Sequence, residues 1–499
     1  MSLDTKKYST SSEQKSFSTK QGIGEYFLDL AHMHPICPLS LSHARMFLLA
    51  DVWARWQRQK GKSVRFPICM HYSGRTVYQI SEVAKLWGSD KENEINEERF
   101  TPGLFIDFYQ VSKSDYKEFS SPIFILDYFS SRILGDLKVL QVSCDYDEYF
   151  NTQDERYHEF VRFVINLYTE KKIIIPSTSH PGKALDYSGR WKKDALRSLN
   201  ETKFSPESSL RMVRDSMLKL DNDWSYEREL SIGTQIEGSV VDPMFDSELL
   251  SMFNAIFPVI KGVDPKLVAE TYRELFGNIS RPFRDDSLAR IIPDHLSLVP
   301  VDTFFLESHL QNWAAKKIFS ETLLLNPSLM TKEYFFIGSI VINGKNVSPS
   351  RRRGETLSQL IQSAGPIVAR LALLYTFGNP VSDHEWPPWL VTSMRQKSYR
   401  FVKFFRLLQK RSVTNNYHQI SMLLEERGGE INSLIETKQM KKVIGILFDK
   451  IPCEVYQLTE RSQGEEEKQP DRQSRVSINN FFLGYLNVIC PPIIELLNE

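Results

Sequence analysis

Tyr26-Phe27-Leu28-Asp29-Leu30-Ala31, then His32 to Pro38, then Leu39-Ser40-Leu41-Ser42-His43-Ala44-Arg45 form the stretch from which the rest of the chain is organised. The first run is apolar enough for a buried strand, and Pro35 and Pro38 prevent it from continuing because proline has no N–H to give a ladder. From Ser40 the period turns helical. Leu41, Ala44, Leu48, Val52 and Arg55 fall on one face, Ser40 is placed to cap the N-terminus, and Gly61 sits where a C-terminal cap belongs. Ser63 to Ile68 reads as the next strand, and His34 to Leu86 as a whole as strand, tight loop, amphipathic helix, strand and second helix. Two parallel strands joined by a helix make a βαβ unit, and ligands bind in the loop at the carboxyl end of its first strand.

Working outward, 499 residues with 41% hydrophobic and 25% charged residues suffice for two to four folded domains. Lysine plus arginine equals aspartate plus glutamate at 62 each, so no global field draws the chain to nucleic acid and any such surface must be a local patch. The cysteines (Cys37, Cys69, Cys144, Cys453, Cys490) are scattered, with no Cys-x-x-Cys pair, which supports neither a disulfide framework nor a zinc knuckle and fits a reducing cytoplasm. No apolar run approaches the length of a membrane span, and no signal-peptide stretch opens the chain. The stripe Phe160, Phe163, Val164 and Leu167 reads as core packing rather than as a ligand box.

Pro38 to Arg45, then Asp51-Val52-Trp53-Ala54-Arg55, Gly61, Phe66-Pro67 and His71-Tyr72-Ser73-Gly74-Arg75-Thr76 together resemble the start of archaeal- and eukaryotic-type leucyl-tRNA synthetases. That family carries a His-Ile-Gly-His-like loop, a long helix and a Phe-His-x-Thr-Gly-x-Pro signature. The loop's first His falls on Ser40 and its Gly on Ser42, while its second His is kept as His43. Asp145 to Asp154, with Tyr157 and Phe160, is similar without a gap to the family's Asp-Trp-x-x-x-Phe-x-Thr-x-Asp segment. Pro300-Val301-Asp302 matches its Pro-Val-Asp, which puts the Gly-x-Asp that contacts ribose and phosphate on Glu307 and His309. Gly338 to Arg351 stands for Gly-Lys-Lys-Met-Ser-Lys-Ser, whose second signature lysine falls on Pro349, a residue with neither cation nor N–H. Arg370-Leu371 and Asp383-His384-Glu385-Trp386 resemble a final Arg-Leu-Tyr…Asp-x-x-Trp anchor.

The resemblance implies an α/β fold, a split Rossmann-like catalytic domain of the class I synthetase type followed by an α-helical bundle like an anticodon-binding domain. It divides the chain into a disordered 1–21, a first catalytic half at 22–179, a reduced connective insertion without an editing domain at 180–245, a second half with a degenerate motif loop at 246–388, and a bundle at 389–499. The family's further C-terminal extension has no room. As substrates the resemblance implies ATP with Mg2+ and an amino acid, leucine or similar, with tRNA or another molecule as acceptor. Ser40, Ser42, His43, Lys345, Ser348, Ser350 and Arg351 would hold ATP, with His43, Lys345 and Arg351 catalytic. His34, His71, Tyr72 and Ser73 would form the amino-acid pocket, and no residue set is expected to hold a metal of its own. Lys345 and Arg351-Arg352-Arg353 are the clustered cations of the motif loop, and guanidinium forks suit phosphate oxygens; a solvated loop or a weak tRNA-backbone patch explains them equally well. Two readings follow: a reduced activating enzyme, or a paralogue without catalysis that binds a small molecule, a tRNA or a protein.

Overall fold

A computed structural model describes residues 26–90, 99–178, 182–220, 224–229, 232–265, 267–268, 272, 300–325, 330–410, 417–460 and 472–498. The lead-in expected to be disordered at 1–21 lies outside these, as does most of the charged stretch 460–474.

The expected βαβ unit is formed. Strand β1 (Tyr26–Leu30) leads through the loop into helix α1 (Leu41–Gln59) and on to β2 (Val64–Arg65), which lies parallel to β1 with Tyr26 opposite Val64. The second strand, expected to run unbroken from Ser63 to Ile68, instead breaks at Phe66. Pro67–Met70 pairs in parallel with Asp145–Asn151, with an irregularity between Pro67 and Cys69. Pro67 has no N–H to offer a continuing ladder. Asp145 captures the bend: its Oδ2 accepts from the Phe66 N–H at 2.6 Å and its own N–H donates to the Phe66 carbonyl at 2.8 Å.

Five parallel strands make the main sheet, in the order Val64–Arg65, Tyr26–Leu30, Thr303–Glu307, Glu333–Ile337, Lys203–Ser205. The two recognisable halves of the chain therefore interleave, because β1 takes its second neighbour from Thr303–Glu307, with Leu28 opposite Thr303. Tyr-Phe-Leu-Asp-Leu, Thr-Phe-Phe-Leu-Glu and Glu-Tyr-Phe-Phe-Ile are buried along their whole length, as parallel strands covered on both faces must be.

Ser40 caps α1 with its hydroxyl, which accepts from the His43 N–H at 3.1 Å, and Gly61 follows the last turn at φ +85°, a conformation that suits glycine. The periodicity predicts one buried stripe on α1, and the helix is instead buried on nearly every side. Ser42, Arg45, Phe47, Leu49, Asp51, Trp53 and Gln57 are buried along with Leu41, Ala44, Leu48 and Val52. The reason is position: the sheet covers one side, and helices Pro366–Tyr375 and Arg472–Ile489 cover the other. After Pro388 the chain is helical, Leu390–Lys410, Tyr417–Glu436, Met440–Gly445, Ile451–Glu460, Arg472–Ile489 and Pro492–Asn498, with Phe401, Val402 and Phe405 in its core and Phe404 and Leu408 at its margin.

The deepest polar contact joins these parts. Asp51 of α1 forms an ion pair with Arg370, and neither side chain has exposed surface. Arg370 also donates to the carbonyls of Ile489 at 2.8 Å and Leu140 at 3.1 Å, while Asp51 accepts from Arg55 Nε at 3.0 Å and from the Ser143 N–H at 2.7 Å. Burial pushes the Asp51 carboxyl up, but Arg55, Arg370 and Ser143 outweigh it and hold the group down at about 2. A carboxyl depressed below its usual 3.8 gives stability that is complete above that value and is lost as pH falls toward 2. Removing one partner strands the other charge in the core. Asp51→Ala should therefore cost about 3–5 kcal/mol in denaturant unfolding at neutral pH, with a smaller loss relative to the unmutated chain near pH 2; a cost below about 1 kcal/mol would show that Arg370 finds other partners.

Candidate functional site

The carboxyl ends of β1, Thr303–Glu307 and Glu333–Ile337 meet the first turn of α1, where an α/β sheet places its ligands. His43, in that first turn, has its Nε2 3.5 Å from Glu307 Oε2, and His309 Nε2 stands 3.7 Å from the same oxygen. Glu307 thus spans two imidazoles. Burial pushes the His43 imidazole down, and the adjacent carboxylate more than reverses it, so its pKa lies above 6.5. Burial likewise raises Glu307, while His43 and then His309 bring it below 4.5.

The motif loop docks on the same helix. Gly338 offers its carbonyl to Arg45, fully buried with its guanidinium 4.2 Å from the centre of the Phe377 ring, and the Ile340 N–H donates to Ser42 Oγ at 2.9 Å. Only glycine fits at 338, since a Cβ there would lie 2.1 Å from the backbone of Ser382. Ile340–Ile342 and Lys345–Asn346 form a hairpin turned by Asn343 and Gly344, both at positive φ, with Glu385 accepting from the Asn343 N–H at 2.6 Å. Lys345 is exposed beside that tip. Pro349 is buried in a single turn with Ser350 and Arg351. Ser350 Oγ accepts from Arg99 at 3.2 Å, Arg352 reaches Thr101 at 3.5 Å, and Arg353 donates to the Asn346 carbonyl at 3.3 Å. Ser348 Oγ lies 3.4 Å from Ser350 Oγ, and Arg351 is exposed.

On the far side of β1, His71 Nε2 is 2.7 Å from Asp246 Oδ2, its Nδ1 is 3.2 Å from Ser73 Oγ, and its carbonyl is 3.0 Å from His34 Nδ1. Asp246 arrives there because Asp242, followed by proline, caps helix Pro243–Ile260, accepting from Met244 and Phe245 N–H at 2.9 and 3.2 Å. Around β1, burial raises Asp29 to about 7 and lowers His32 to about 3. His34, His71 and Ser73 are brought together. Tyr72 is directed elsewhere: its hydroxyl donates to Asp127 at 2.8 Å and its backbone exchanges hydrogen bonds with Thr152.

Over 93% of this chain and 92% of the other, the structure superposes on Mycobacterium tuberculosis methionyl-tRNA synthetase bound by methionyl-adenylate, with a TM-score of 0.62 at 12% identity; a second structure of that synthetase gives 0.64 over 95% and 92%. The fold is that of a class I aminoacyl-tRNA synthetase. In sequence the chain is a diverged relative of leucyl-tRNA synthetases: leucine–tRNA ligase 1 of Metallosphaera sedula is 30% identical over 158 residues, and the ligase of Pyrobaculum neutrophilum is 29% identical over 154. These stretches cover 32% and 31% of this chain but only 16% and 15% of the ligases, so the chain spans about a sixth of the relatives it matches. No family model matches.

Against the class I synthetase pattern, the serines at the two changed motif positions have structural partners: Ser40 caps α1 and Ser42 anchors the motif loop. The residues expected to hold ATP separate into two groups. Ser40, Ser42 and His43 lie at the first turn of α1, whereas Lys345, Ser348, Ser350 and Arg351 belong to a hairpin and turn in which Ser350 meets Ser348 and Arg99 while Lys345 and Arg351 are exposed. Among the described residues no His, Cys, Asp or Glu group converges to hold a metal, and no described helix is long and apolar enough to cross a membrane. Asp246 and Arg45 are functional candidates that the motifs do not single out. The cap Asp242-Pro243 signals the helix start, but nothing local says that Asp246 meets His71. Replacing Glu307 by glutamine should bring the His43 pKa down, visible in an NMR titration of the imidazole. An unchanged titration would mean that Glu307 is not what raises the His43 pKa. The ion pair stabilises the fold only while both members are charged, so its contribution fades as pH rises through the raised His43 value or falls through the lowered Glu307 value.

Proposed function

We propose that this chain is a leucyl-tRNA synthetase relative that keeps the amino-acid half of the site as a binding pocket and has given up adenylate formation by the family's route. The observation that carries this is Glu307. It stands at the position that the resemblance assigns to a ribose and phosphate contact, and its carboxylate lies 3.5 Å from His43 and 3.7 Å from His309. A carboxylate paired with the motif histidine cancels the positive charge that would otherwise face a triphosphate. The residues present do not fit ATP with Mg2+ in the family's manner. Ser42 already accepts from Ile340, Pro349 is buried without a cation, and no step through the nucleotide is derived. With only 66 residues at 180–245, we further infer that no editing domain is folded there, so that hydrolysis of a mischarged leucine tRNA is not expected.

A second reading has its own observation. Arg351 is exposed next to Arg352, and Arg352 and Ser350 contact Thr101 and Arg99, so positive charge gathers beside the motif loop. In this reading the arginines replace the missing lysine, the chain activates leucine or a similar amino acid with ATP and Mg2+, and the acceptor is tRNA or another molecule, in the cytoplasm.

ATP–pyrophosphate exchange across a panel of amino acids separates the two. No exchange above background is expected, and Glu307→Gly should tighten ATP binding by at least tenfold, about 1.4 kcal/mol, in calorimetry at fixed low salt. Exchange by the unmodified chain, abolished in the Arg351, Arg352 and Arg353 triple alanine variant, would establish the second reading.

A further inference from the structure

A cavity of about 630 Å³ opens beside the motif loop, and none of the residues expected to hold ATP or the amino acid lines it. One wall is the turn Leu104–Phe108 with Gln110, and the other is the chain from Arg352 through Glu355 into helix Leu357–Ala364. Gln359 ties the two walls together: its Nε2 donates to the Phe108 carbonyl at 2.7 Å and its Oε1 accepts from the Thr356 N–H at 2.8 Å. Ser358 Oγ donates to Asp136 at 2.5 Å, and Arg132 donates to the Tyr109 carbonyl at 2.7 Å. Both walls are therefore held before any ligand arrives.

The cavity carries long side chains where the backbone suits glycine. Gln110 has φ +57° and Arg352 φ +50°, left-handed positions that end a helical turn, and both residues line the cavity. Glu355 is half-buried there with no hydrogen-bond or ion-pair partner among the described contacts, and burial raises its carboxyl with no neighbouring cation to offset it. Arg352 does not pair with it; its described side-chain hydrogen bond is a long one, 3.5 Å to Thr101. The amides of Gln110 and Gln362 are exposed and unspent among the described contacts. The cavity thus offers an unpaired carboxylate, two amides, a guanidinium and the half-buried Phe108.

These groups sort ligands by chemistry. A carboxylate only accepts, so it needs N–H donors, and a simple cation that met it would share the cavity with Arg352. A flat heterocycle instead stacks on an aromatic side chain and offers its edge to amides. Among the nucleobases guanine alone sets two N–H donors side by side, N1–H and the N2 amino group, while its O6 and N7 accept. A phosphate suits the guanidinium. We propose that this cavity is a guanine nucleotide site, in which Glu355 takes the N1–H and N2 amino edge, Phe108 stacks on the base, Gln110 and Gln362 meet its polar rim and Arg352 holds the phosphate. No residue at the carboxyl ends of the sheet lines this cavity, so the site goes beyond the reading above and does not depend on whether the chain forms adenylates.

The test is calorimetry on the full chain at fixed low salt. GMP should bind at least tenfold more tightly than AMP and than IMP, which lacks only the 2-amino group. Glu355→Gln, checked for folding by thermal unfolding, should erase the margin of GMP over IMP. Arg352→Ala keeps the groups that meet the base, so it should weaken GMP and leave guanosine unaffected. No binding of GMP, equal binding of GMP and AMP, or a margin indifferent to Glu355→Gln overturns the proposal. Displacement of GMP by stoichiometric ATP would place it at the carboxyl ends of the sheet and overturn the proposal as well. A free nucleotide and a guanine within an RNA strand share this chemistry. Tighter binding of the trinucleotide UGU than of GMP assigns the strand, GMP at least equal to UGU assigns the free nucleotide, and Glu355→Gln must weaken whichever binds.

Discussion

Asp51 and Arg370 bury opposite charges side by side, and the architecture depends on that pair staying intact. Its partners come from α1, from the segment around Leu140 and Ser143, from helix Pro366–Tyr375 and from the last long helix at Val488 and Ile489. Bringing two charges out of water is expensive, and the cost is offset only when every remaining donor and acceptor is met. Arg370 meets this condition by spending its other N–H groups on main-chain carbonyls, while Asp51 takes Arg55 and Ser143. The bundle is therefore fastened to the catalytic-type domain by a contact that tolerates no sliding. Lys438 adds a second fastening: buried at positive φ, its ammonium sits 3.8 Å from the Trp53 ring centre and 4.5 Å from that of Phe335, where burial pushes its pKa down to about 8.

With the frame fixed in this way, three of the positions at which the chain departs from the motifs have partners of their own. Ser40 satisfies an N–H of the first turn of α1, Ser42 holds the motif loop, and Glu307 pairs with the retained histidine. A glycine replaced by serine or glutamate would otherwise add a polar group to a confined space at a cost of about 1–3 kcal/mol for each unsatisfied partner. Here the added groups are satisfied within the chain.

The two sides of β1 consequently differ in character. Toward α1, His43 and Glu307 pair with each other, Arg352 and Arg353 reach Thr101 and the Asn346 carbonyl, and Lys345 and Arg351 are exposed. Toward helix Pro243–Ile260, His34 Nδ1 donates to the His71 carbonyl and the His71 ring meets Asp246.

The sequence by itself determined the elements and their kinship. The apolar run at Tyr26, the cap at Ser40, the glycine at Gly61 and the ordered motifs identified a βαβ opening and a synthetase-type fold, because caps, prolines and apolar periods act over a few residues and can be read locally. The all-round burial of α1 could not be read in this way, since it depends on a bundle more than 300 residues away, and neither could the break at Phe66, which depends on where Asp145 lands. The same division holds for the site. His34, His71, Ser73 and His43 were nameable from motif positions, but Tyr72 turns to Asp127, and the meetings of His71 with Asp246 and of His43 with Glu307 are contacts across 175 and 264 residues. Hydrogen-bond direction and charge pairing at such separations are decided only when the sheet has brought its carboxyl ends together.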